Sequence, residues 1–325
     1  MYTHIEGNIY SIFVPLPDNP LRNLNAYLIK DDKRSLLIDT GFRRDECREA
    51  LLGGLAELGV SMDNTDICLT HLHSDHTGLA PELAGPNSKI FMSREDSRRL
   101  REFQRSANTH RTEEYTLQGF SLDETAFLRD SPMRKYNSVL PMDNTYVDEG
   151  DVLEYGGRRL RVIMTPGHTP GHLCLYDQED KVMFLGDHVL FDITPNITTW
   201  PGFSDPLGAY VHSLMDISIF DVRLPLPAHR GVSGTMSERI GKIIEHHGAR
   251  IREMIGILER EPKLTAYELS GRMSWRVRGK SPSWADFPLQ QKWFAVGETA
   301  AHLDYLLMRD RVRRELDNGV YRYYI

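Results

Sequence analysis

A short segment that combines three histidines with one aspartate is the feature that most constrains this chain of 325 residues. His71, His73, Asp75 and His76 follow directly on an apolar run, residues 66–69. Because alternate residues of an extended chain face the same side, His71 and His73 can share one metal ion. Asp75 and His76, on the loop into the next helix, can bind a second. Imidazole nitrogens with a carboxylate oxygen are typical ligands of zinc-like ions, so the segment predicts a metal site.

Later apolar runs also end on potential ligands. The runs at residues 159–164, 182–185 and 222–228 lead to His168 and His172, to Asp187, and to His229, respectively. We expect a sheet whose loops converge at one edge, because side chains from distant sequence positions can then share one pair of cations.

These motifs, together with Asp39 in the segment 37–41, resemble in order those of metallo-β-lactamase-fold hydrolases over roughly residues 5 to 235. The resemblance implies an α+β fold, an αββα sandwich. It implies that His71, His73 and His168 bind the first ion. It assigns Asp75, His76 and His229 to the second ion and makes Asp187 the bridge. Asp39 resembles the buried carboxylate that orients the ligands in this family.

Asp187 narrows the choice among the branches of this family. An aspartate at this position resembles the glyoxalase II (hydroxyacylglutathione hydrolase), ribonuclease Z and lactonase branches, because true β-lactamases lack a bridging aspartate. The His73 position carries glutamate in the flavodiiron branch, so redox chemistry is disfavoured. Residues 188–192 depart from the glutathione-anchoring segment of glyoxalase II. Glyoxalase II proper is therefore disfavoured, and the substrate is left open.

The remaining histidines are not expected to bind metal. His172 is predicted to be structural or to orient the ligands. His188 follows Asp187 directly and should face away from the metals if the backbone is extended. The others lack ligand-like spacing and are expected at the surface or in packing: His4, His110, His212, His246, His247 and His302.

Two long segments interrupt the predicted catalytic domain, residues 1–234. A helical insertion at about 93–145 is rich in charge and is interpreted as a lid or substrate wall, with a solvated helical decoration as the alternative. Residues 188–220 are rich in proline and aromatic residues and are predicted to form pocket wall.

The C-terminal part, residues 235–325, changes character. Helices are predicted at 237–260, 265–273 and 290–308, and strands at 312–316 and 320–324 flank the turn signal Asp317-Asn318-Gly319. Three helices followed by a hairpin predict a winged-helix-like domain. The segment resembles the C-terminal domain of the lactamase-β-like-2 group.

Winged helices often bind nucleic acid, so a metal-dependent endoribonuclease is the alternative function. Residues 235–325 contain 16 Lys and Arg against 12 Asp and Glu, a net charge of +4, whereas the rest of the chain has −11. An acidic catalytic domain would repel a polyanion. Nucleic acid is therefore not the expected partner, and the tail is interpreted as a packing or dimerisation domain, which leaves a homo-oligomer open.

Composition favours a cytoplasmic enzyme without a membrane partner. The chain has no apolar run of membrane-spanning length, and its N-terminus lacks the pattern of a signal peptide. Cys47, Cys68 and Cys174 are odd in number and widely spaced, which predicts reduced thiols.

The sequence thus predicts a dinuclear metallo-hydrolase acting on an ester, thioester or lactone of a small molecule; a non-catalytic metal scaffold is disfavoured by the complete ligand set. The expected cofactors are two divalent transition-metal ions, zinc above all, with iron or manganese as alternatives. The hypothesis is that a hydroxide bridging the ions beside Asp187 attacks the acyl carbonyl. Asp75 and Asp187 are the predicted catalytic residues, with Asp75 orienting the hydroxide or delivering a proton.

Overall fold

A computed structural model describes residues 1–105, 109–129, 142–275 and 283–325. The chain forms two compact units that interleave along the sequence. The first contains the described residues of 1–105, 133–195 and 213–240, and the second those of 106–132, 196–212 and 241–325. The second unit therefore includes two stretches that precede residue 235, where the sequence suggested a single boundary. Phe120 gives the physical reason, because it is buried in the same apolar cluster as Leu269 and Leu303.

A seven-stranded sheet forms one layer of the first unit. Its strands lie in chain order: Tyr2–Glu6 (β1), Ile9–Pro15 (β2), Asn23–Ile29 (β3), Ser35–Ile38 (β4), Thr65–Cys68 (β5), Ile90–Ser93 (β6) and Asn144–Val147 (β7). Strands β1 to β4 pair antiparallel, and β4 to β7 pair parallel. The carboxyl ends of β4, β5 and β6 therefore lie at one edge of the sheet.

A five-stranded sheet forms the other layer. Its strands are Val152–Tyr155 (β8), Arg158–Met164 (β9), Leu173–Asp177 (β10), Val182–Gly186 (β11) and Leu224–Pro227 (β12), in the spatial order β12-β11-β10-β9-β8. Only β11 and β12 pair parallel. Their carboxyl ends lie side by side, because Ala228 N–H donates to Gly186 O over 3.0 Å.

The core of the first unit lies between these two sheets. Alternate residues of each strand face it, as the two-residue period of a strand requires. The first sheet contributes Ile9, Tyr27, Ile29, Leu36, Ile38, Cys68, Phe91 and Val147, and the second contributes Leu153, Leu160, Val162, Leu173, Leu175, Val182, Phe184 and Leu226. This two-sheet sandwich with helices confirms the predicted α+β class.

Seven helices come before the C-terminal helices in the described part of the chain. They are Asp45–Glu57 (α1), Ser74–Thr77 (α2), Ala80–Leu83 (α3), Arg94–Arg105 (α4), Thr109–Leu117 (α5), Leu122–Arg129 (α6) and Pro206–Ile217 (α7). Helix α1 packs on β2 so closely that a Cβ atom on Gly54 would lie 2.6 Å from a methyl of Ile12. Helix α4 packs on β6 and β7.

The second unit carries the C-terminal helices and hairpin. The helices are Met236–Arg260 (α8), Ala266–Arg272 (α9) and Leu289–Leu307 (α10), and the hairpin pairs Arg313–Asp317 (β13) with Val320–Tyr324 (β14). Asn318 and Gly319, at φ 49° and 82°, form its two-residue turn, a left-handed pair typical of Asn-Gly hairpins. The predicted helices and hairpin are confirmed, whereas the winged-helix assignment stays a prediction.

Some sequence expectations differ from the structure or reach beyond it. Strands β1, β7 and β8 were not predicted, because short strands at or near a sheet edge, with exposed residues, have weak hydrophobic periodicity. The predicted insertion at 93–145 contains α4, α5 and α6, and its residues 106–108 and 130–141 lie outside the described residues. No helix in the described ranges combines the length and the apolar character that a membrane crossing needs.

Candidate metal centre

Strand register brings the ligand-bearing loops of both sheets together. In the parallel pair β4–β5, Ile38 is opposite Cys68, and Asp39 N–H donates to Cys68 O over 3.0 Å. The loop after β5 then meets the second sheet, because Leu173 N–H donates to Thr70 O over 2.9 Å. The loops after β4, β5, β9, β11 and β12 therefore lie close together.

Three histidines form a first cluster. The Nε2 atom of His71 and the Nε2 atom of His168 each lie 3.0 Å from Nδ1 of His73. Each neutral imidazole has one ring nitrogen with a free lone pair. Nitrogens that converge at this spacing can bind one ion with bonds of about 2 Å.

A second cluster forms from Asp75, His76 and His229, whose ligand atoms all lie within 4.8 Å of one another. His76 Nε2 is 3.8 Å and His229 Nε2 is 3.5 Å from Asp75 Oδ2. Short helix α2 carries Asp75 and His76 immediately after His73. The second cluster is therefore next to the first in the chain.

Asp187 lies between the two clusters. Its Oδ1 is 3.2 Å from His229 Nε2 and 3.7 Å from His76 Nε2. Its Oδ2 is 3.6 Å from Nε2 of His168, which belongs to the first cluster. The two oxygens of one carboxylate thus face different sets of imidazoles.

The residues present fit a metal centre. Among the described residues, His76 Nε2, His229 Nε2 and Asp187 Oδ1 are buried without a well-formed hydrogen bond. Leaving buried polar atoms unpaired costs about 1–3 kcal/mol each, and a bound cation would satisfy them. All seven candidate ligands predicted from the sequence fall in these groups.

Carboxylate and carbonyl oxygens orient the rings of the second cluster. Asp39 Oδ2 accepts a hydrogen bond from His76 Nδ1 over 2.8 Å. Asp39 also accepts from the amide and the hydroxyl of Thr70. His229 Nδ1 donates to Asn23 O over 2.7 Å. Because each Nδ1 donates away from the site, Nε2 is the ring nitrogen that faces Asp75 and Asp187 and that could bind an ion.

His172 and His188 lie behind the ligands. His172 is fully buried, its Nε2 accepts from the Asp187 amide over 3.1 Å, and its Nδ1 contacts Thr165 Oγ1 at 2.7 Å. It thereby holds the backbone at Asp187, and its role in orienting the ligands stays a prediction. His188 is also fully buried and packs against the His172 ring, with 5.7 Å between the ring centroids.

The charges of the two clusters differ. Burial lowers the pKa of His71 well below its usual value and that of His73 to about 3, so these rings are neutral and suited to bind an ion. Burial also opposes a charge on His76 and His229, but the neighbouring carboxylates outweigh it and raise the pKa of both. The carboxylate side of the site therefore favours positive charge.

Two supports of the site had no signal in the sequence. Asp96, in the first turn of α4, is fully buried and accepts from Leu72 N–H and Gly171 N–H. Asn25 donates from its amide to Pro227 O and Arg230 O, on either side of His229. Neither residue lies in a ligand-like motif, and both act across strands distant in sequence.

Other histidines contact residues outside this centre: His4 contacts Gly7 O, and His246 lies 3.9 Å from Glu298. His247 Nδ1 and His302 Nε2 are 3.0 Å apart inside the second unit, and both rings are buried. They are packing residues, as expected. The side chain of His110 lies outside the described residues.

Similar proteins carry the same fold. A crystal structure of a metallo-beta-lactamase family protein from Thermus thermophilus has 29% identity and a TM-score of 0.79 and covers 98% of both chains. A beta-lactamase domain protein from Burkholderia ambifaria has a TM-score of 0.85 at 24% identity over 99% of this chain and 94% of that one. The lactamase-like protein adaB of Aspergillus niger is 24% identical over 316 residues, 86% of this chain and 83% of that protein.

Family matches cover both parts of the chain. Residues 286–325 match the metallo-beta-lactamase-like C-terminal domain. Residues 20–229 match the metallo-beta-lactamase superfamily, and this range contains all seven candidate ligands. The chain therefore belongs to the metallo-beta-lactamase superfamily.

Proposed function

We propose that this protein is a dinuclear metal-dependent hydrolase that cleaves an ester, thioester or lactone of a small molecule. The observation that carries the proposal is the division of Asp187 between two clusters of imidazoles. Its Oδ1 is 3.2 Å from His229 Nε2, and its Oδ2 is 3.6 Å from His168 Nε2. A carboxylate with this geometry suits a bridge between two ions.

The proposed ligand sets follow from these contacts. His71, His73 and His168 would hold the first ion, Asp75, His76 and His229 would hold the second, and the carboxylate of Asp187 would serve both. We propose zinc, because nitrogen-rich sites with a few carboxylate oxygens suit it, although iron and manganese accept the same ligands.

Two divalent ions in this site would supply an acidified water and would polarise the acyl oxygen of the substrate. The chain's own groups supply orientation. We assign to Asp75 the orientation of the attacking water and the transfer of its proton to the leaving group. Burial opposes the charge on Asp75, but His76 and His229 outweigh it and hold the pKa of this carboxyl at about 2. Asp75 is therefore ionised at neutral pH and has oxygens that can accept a hydrogen bond or a proton.

The charge distribution supports a small molecule over RNA as the substrate. Residues 1–234 have a net charge of −11, and residues 235–325 have +4. Few clustered cations are available to release counterions from a polyanion. The endoribonuclease is kept as an outcome of the test below. We also propose a cytoplasmic location, which the free thiols of Cys47, Cys68 and Cys174 support.

One experiment tests the proposal in two steps. The protein is purified without chelator, its metals are measured by elemental analysis, and it is then assayed on thioesters, lactones, aryl esters and single-stranded RNA. We expect about two transition-metal ions per chain, as seven ligands exceed the capacity of one tetrahedral ion. We also expect chelator-sensitive turnover of at least one acyl substrate.

Two results would contradict this expectation. A chain that holds no transition metal after reconstitution would rule out the metal centre. Metal-dependent RNA cleavage that is lost in His71→Ala, together with inactivity on every acyl substrate, would establish the endoribonuclease instead.

A further inference from the structure

Asp96 connects the two loops that carry the histidines of the first cluster. It lies in the first turn of α4, and its side chain is fully buried. Its Oδ2 accepts from Leu72 N–H over 2.9 Å, in the peptide between His71 and His73. The same oxygen accepts from the Thr169 hydroxyl over 2.6 Å, next to His168.

The other oxygen of Asp96 completes the connection. Its Oδ1 accepts from Gly171 N–H over 2.7 Å. One carboxylate thus holds three donors, one from the loop after β5 and two from the loop after β9. Burial raises the pKa of Asp96 to about 6, so the carboxylate is still ionised at neutral pH. Hydrogen bonds to a charged acceptor are about twice as strong as neutral ones, so this residue firmly connects segments that are distant in sequence.

The loop after β9 packs closely against the start of α4. A Cβ atom on Gly171 would clash with Ser93 Oγ and would lie 2.6 Å from Asp96 N. The backbone at Gly171 therefore lies directly on the start of α4.

We infer that Asp96 is a positioning residue that sets the distance between His168 and the pair His71 and His73. It acts through the backbone of both loops, where its hydrogen bonds flank the candidate ligands. This inference rests on the metal centre proposed above. It assigns to α4, which contributes no ligand, control over one of the two ions.

The second cluster has its own supports. His76 is held by Asp39, and His229 by the carbonyl of Asn23. The side-chain hydrogen bonds of Asp96 within the described ranges lead instead to the loops of the first cluster. Loss of the Asp96 carboxylate should therefore lower the affinity for the first ion and leave the affinity for the second unchanged.

Asp96→Asn is the decisive substitution, because it keeps the size of the side chain and removes one acceptor. Asparagine has a single carbonyl oxygen, so its NH₂ group must face either Gly171 N–H or Leu72 N–H, both of which are donors. At least one loop then loses its hydrogen bond. We expect the backbone of that loop to shift and to change the 3.0 Å distances that join His73 Nδ1 to the Nε2 atoms of His71 and His168.

The test measures metal affinity rather than turnover. Metal-free wild type and Asp96→Asn are titrated with Co²⁺, with binding followed by visible absorption and by competition with a chromogenic chelator. We expect one of the two ions to bind about 10–100-fold more weakly in Asp96→Asn, as for other residues that orient metal ligands. The other ion should keep the wild-type affinity.

Asp66→Asn is the matched control. Asp66 is also a buried aspartate of the first unit, and it accepts from Lys89 N–H, Tyr155 OH and Arg34. It lies near the start of β5, whereas the ligands follow the end of that strand. Asp66→Asn should lower stability yet leave both Co²⁺ affinities unchanged.

A milder variant keeps the test decisive if Asp96→Asn does not fold. Thr169→Val removes one of the three hydrogen bonds and should weaken the same ion to a smaller extent. Wild-type affinity for both ions in folded Asp96→Asn, or in Thr169→Val where only that variant folds, would overturn the inference and leave the proposed function standing. Equal weakening of both ions in Asp96→Asn and Asp66→Asn would also overturn it. A wild type that binds no Co²⁺ would refute both.

Discussion

Single residues determine where carboxylate oxygens and imidazole protons lie in the candidate metal centre. Asp187 faces imidazoles of both clusters, and Asp39 fixes the proton of His76 on Nδ1. Asp39 has a φ of 62°, a left-handed conformation that is uncommon outside glycine. The hydrogen bonds from Thr70 and His76 hold it in this conformation. The strained backbone conformation thus occurs at a residue that orients a candidate ligand.

Asp187→Asn should abolish hydrolysis while the fold persists. An amide cannot supply two anionic oxygens. Substitution of a residue that only orients a metal ligand already lowers metal affinity or activity about 10–100-fold. We therefore expect a loss of more than about 100-fold in kcat and a metal content below two ions per chain. Asp177→Asn is the control, since Asp177 is buried at the end of β10 and pairs with Arg158. Near-wild-type turnover of Asp187→Asn would refute the bridge.

Asp304 in α10 allows a test of how protein stability depends on pH at a residue outside the candidate metal centre. Burial raises its pKa from 3.8 to about 6, although Arg314 at 3.8 Å opposes the shift. The folded state therefore binds this proton more tightly than the unfolded state. The resulting stability is fully present below about pH 4 and is lost as pH rises through about 6.

Asp304→Asn should consequently stabilise the protein at pH 7.5, because the amide carries no charge to bury. A pKa change of this size corresponds to at most roughly 2–3 kcal/mol in the free energy of unfolding. Urea unfolding at pH 7.5 and pH 4.5 checks this expectation. The advantage of the variant over the wild type should shrink at the lower pH. An advantage that is equal at both values would contradict the assigned cause.

At the scale of elements, helix termini follow local rules. Helix α1 ends at Leu58 as its C-cap, with Gly59 at φ 68°. Gly59 N–H donates to Ala56 O, and Val60 N–H donates to Leu55 O, both over 2.9 Å. This pair of hydrogen bonds is a Schellman motif, which requires a left-handed residue after the cap.

Gly59→Ala and Gly53→Ala should therefore shift stability in opposite directions. Neither glycine has any atom within 4 Å of an added Cβ, so packing does not decide the outcome. At Gly59 the side chain forces alanine into a left-handed conformation, which costs about 1 kcal/mol. At Gly53, inside the helix, alanine should stabilise by roughly 0.5–1 kcal/mol. Thermal unfolding of both variants measures the difference, and shifts of the same sign would contradict it.

At the scale of the whole molecule, the candidate metal centre contains residues from segments of both sheets. Its candidate ligands follow β5 in the first sheet and β9, β11 and β12 in the second. Bound ions would therefore connect strands that the unfolded chain does not hold together. A ligand that binds only the folded state raises its stability, and the gain grows with the ratio of free ligand to its Kd.

Removal of metal should accordingly lower the Tm. With free ion at about 100 to 1,000 times its Kd, the wild type should gain about 3–4 kcal/mol per ion. We expect EDTA to lower the Tm, Zn²⁺ in excess of the chelator to restore it, and Mg²⁺ to have little effect on this nitrogen-rich site. Asp187→Asn should show a smaller shift. An unchanged Tm in the metal-free protein would argue against the proposed centre.

The sequence by itself determined the features that depend on short stretches of chain. Strand and helix periodicity located most elements of both units. Asn318 and Gly319 predicted the hairpin, because few other pairs adopt two left-handed conformations in succession. The candidate ligands were also found from sequence, since His and Asp at the ends of successive strands, in the order that resembles a known family, are a specific pattern.

Only the tertiary structure decided which groups support those ligands. Asp96, Asn23 and Asn25 reach the ligand loops through hydrogen bonds across strands that are far apart in the chain. No spacing in the sequence marks such contacts, because an isolated aspartate or asparagine is more often a helix cap or a turn residue. For the same reason, the sequence does not show that the described residues of 106–132 and 196–212 belong to the second unit. Local patterns fix what a segment forms, whereas burial against distant segments fixes what it contacts.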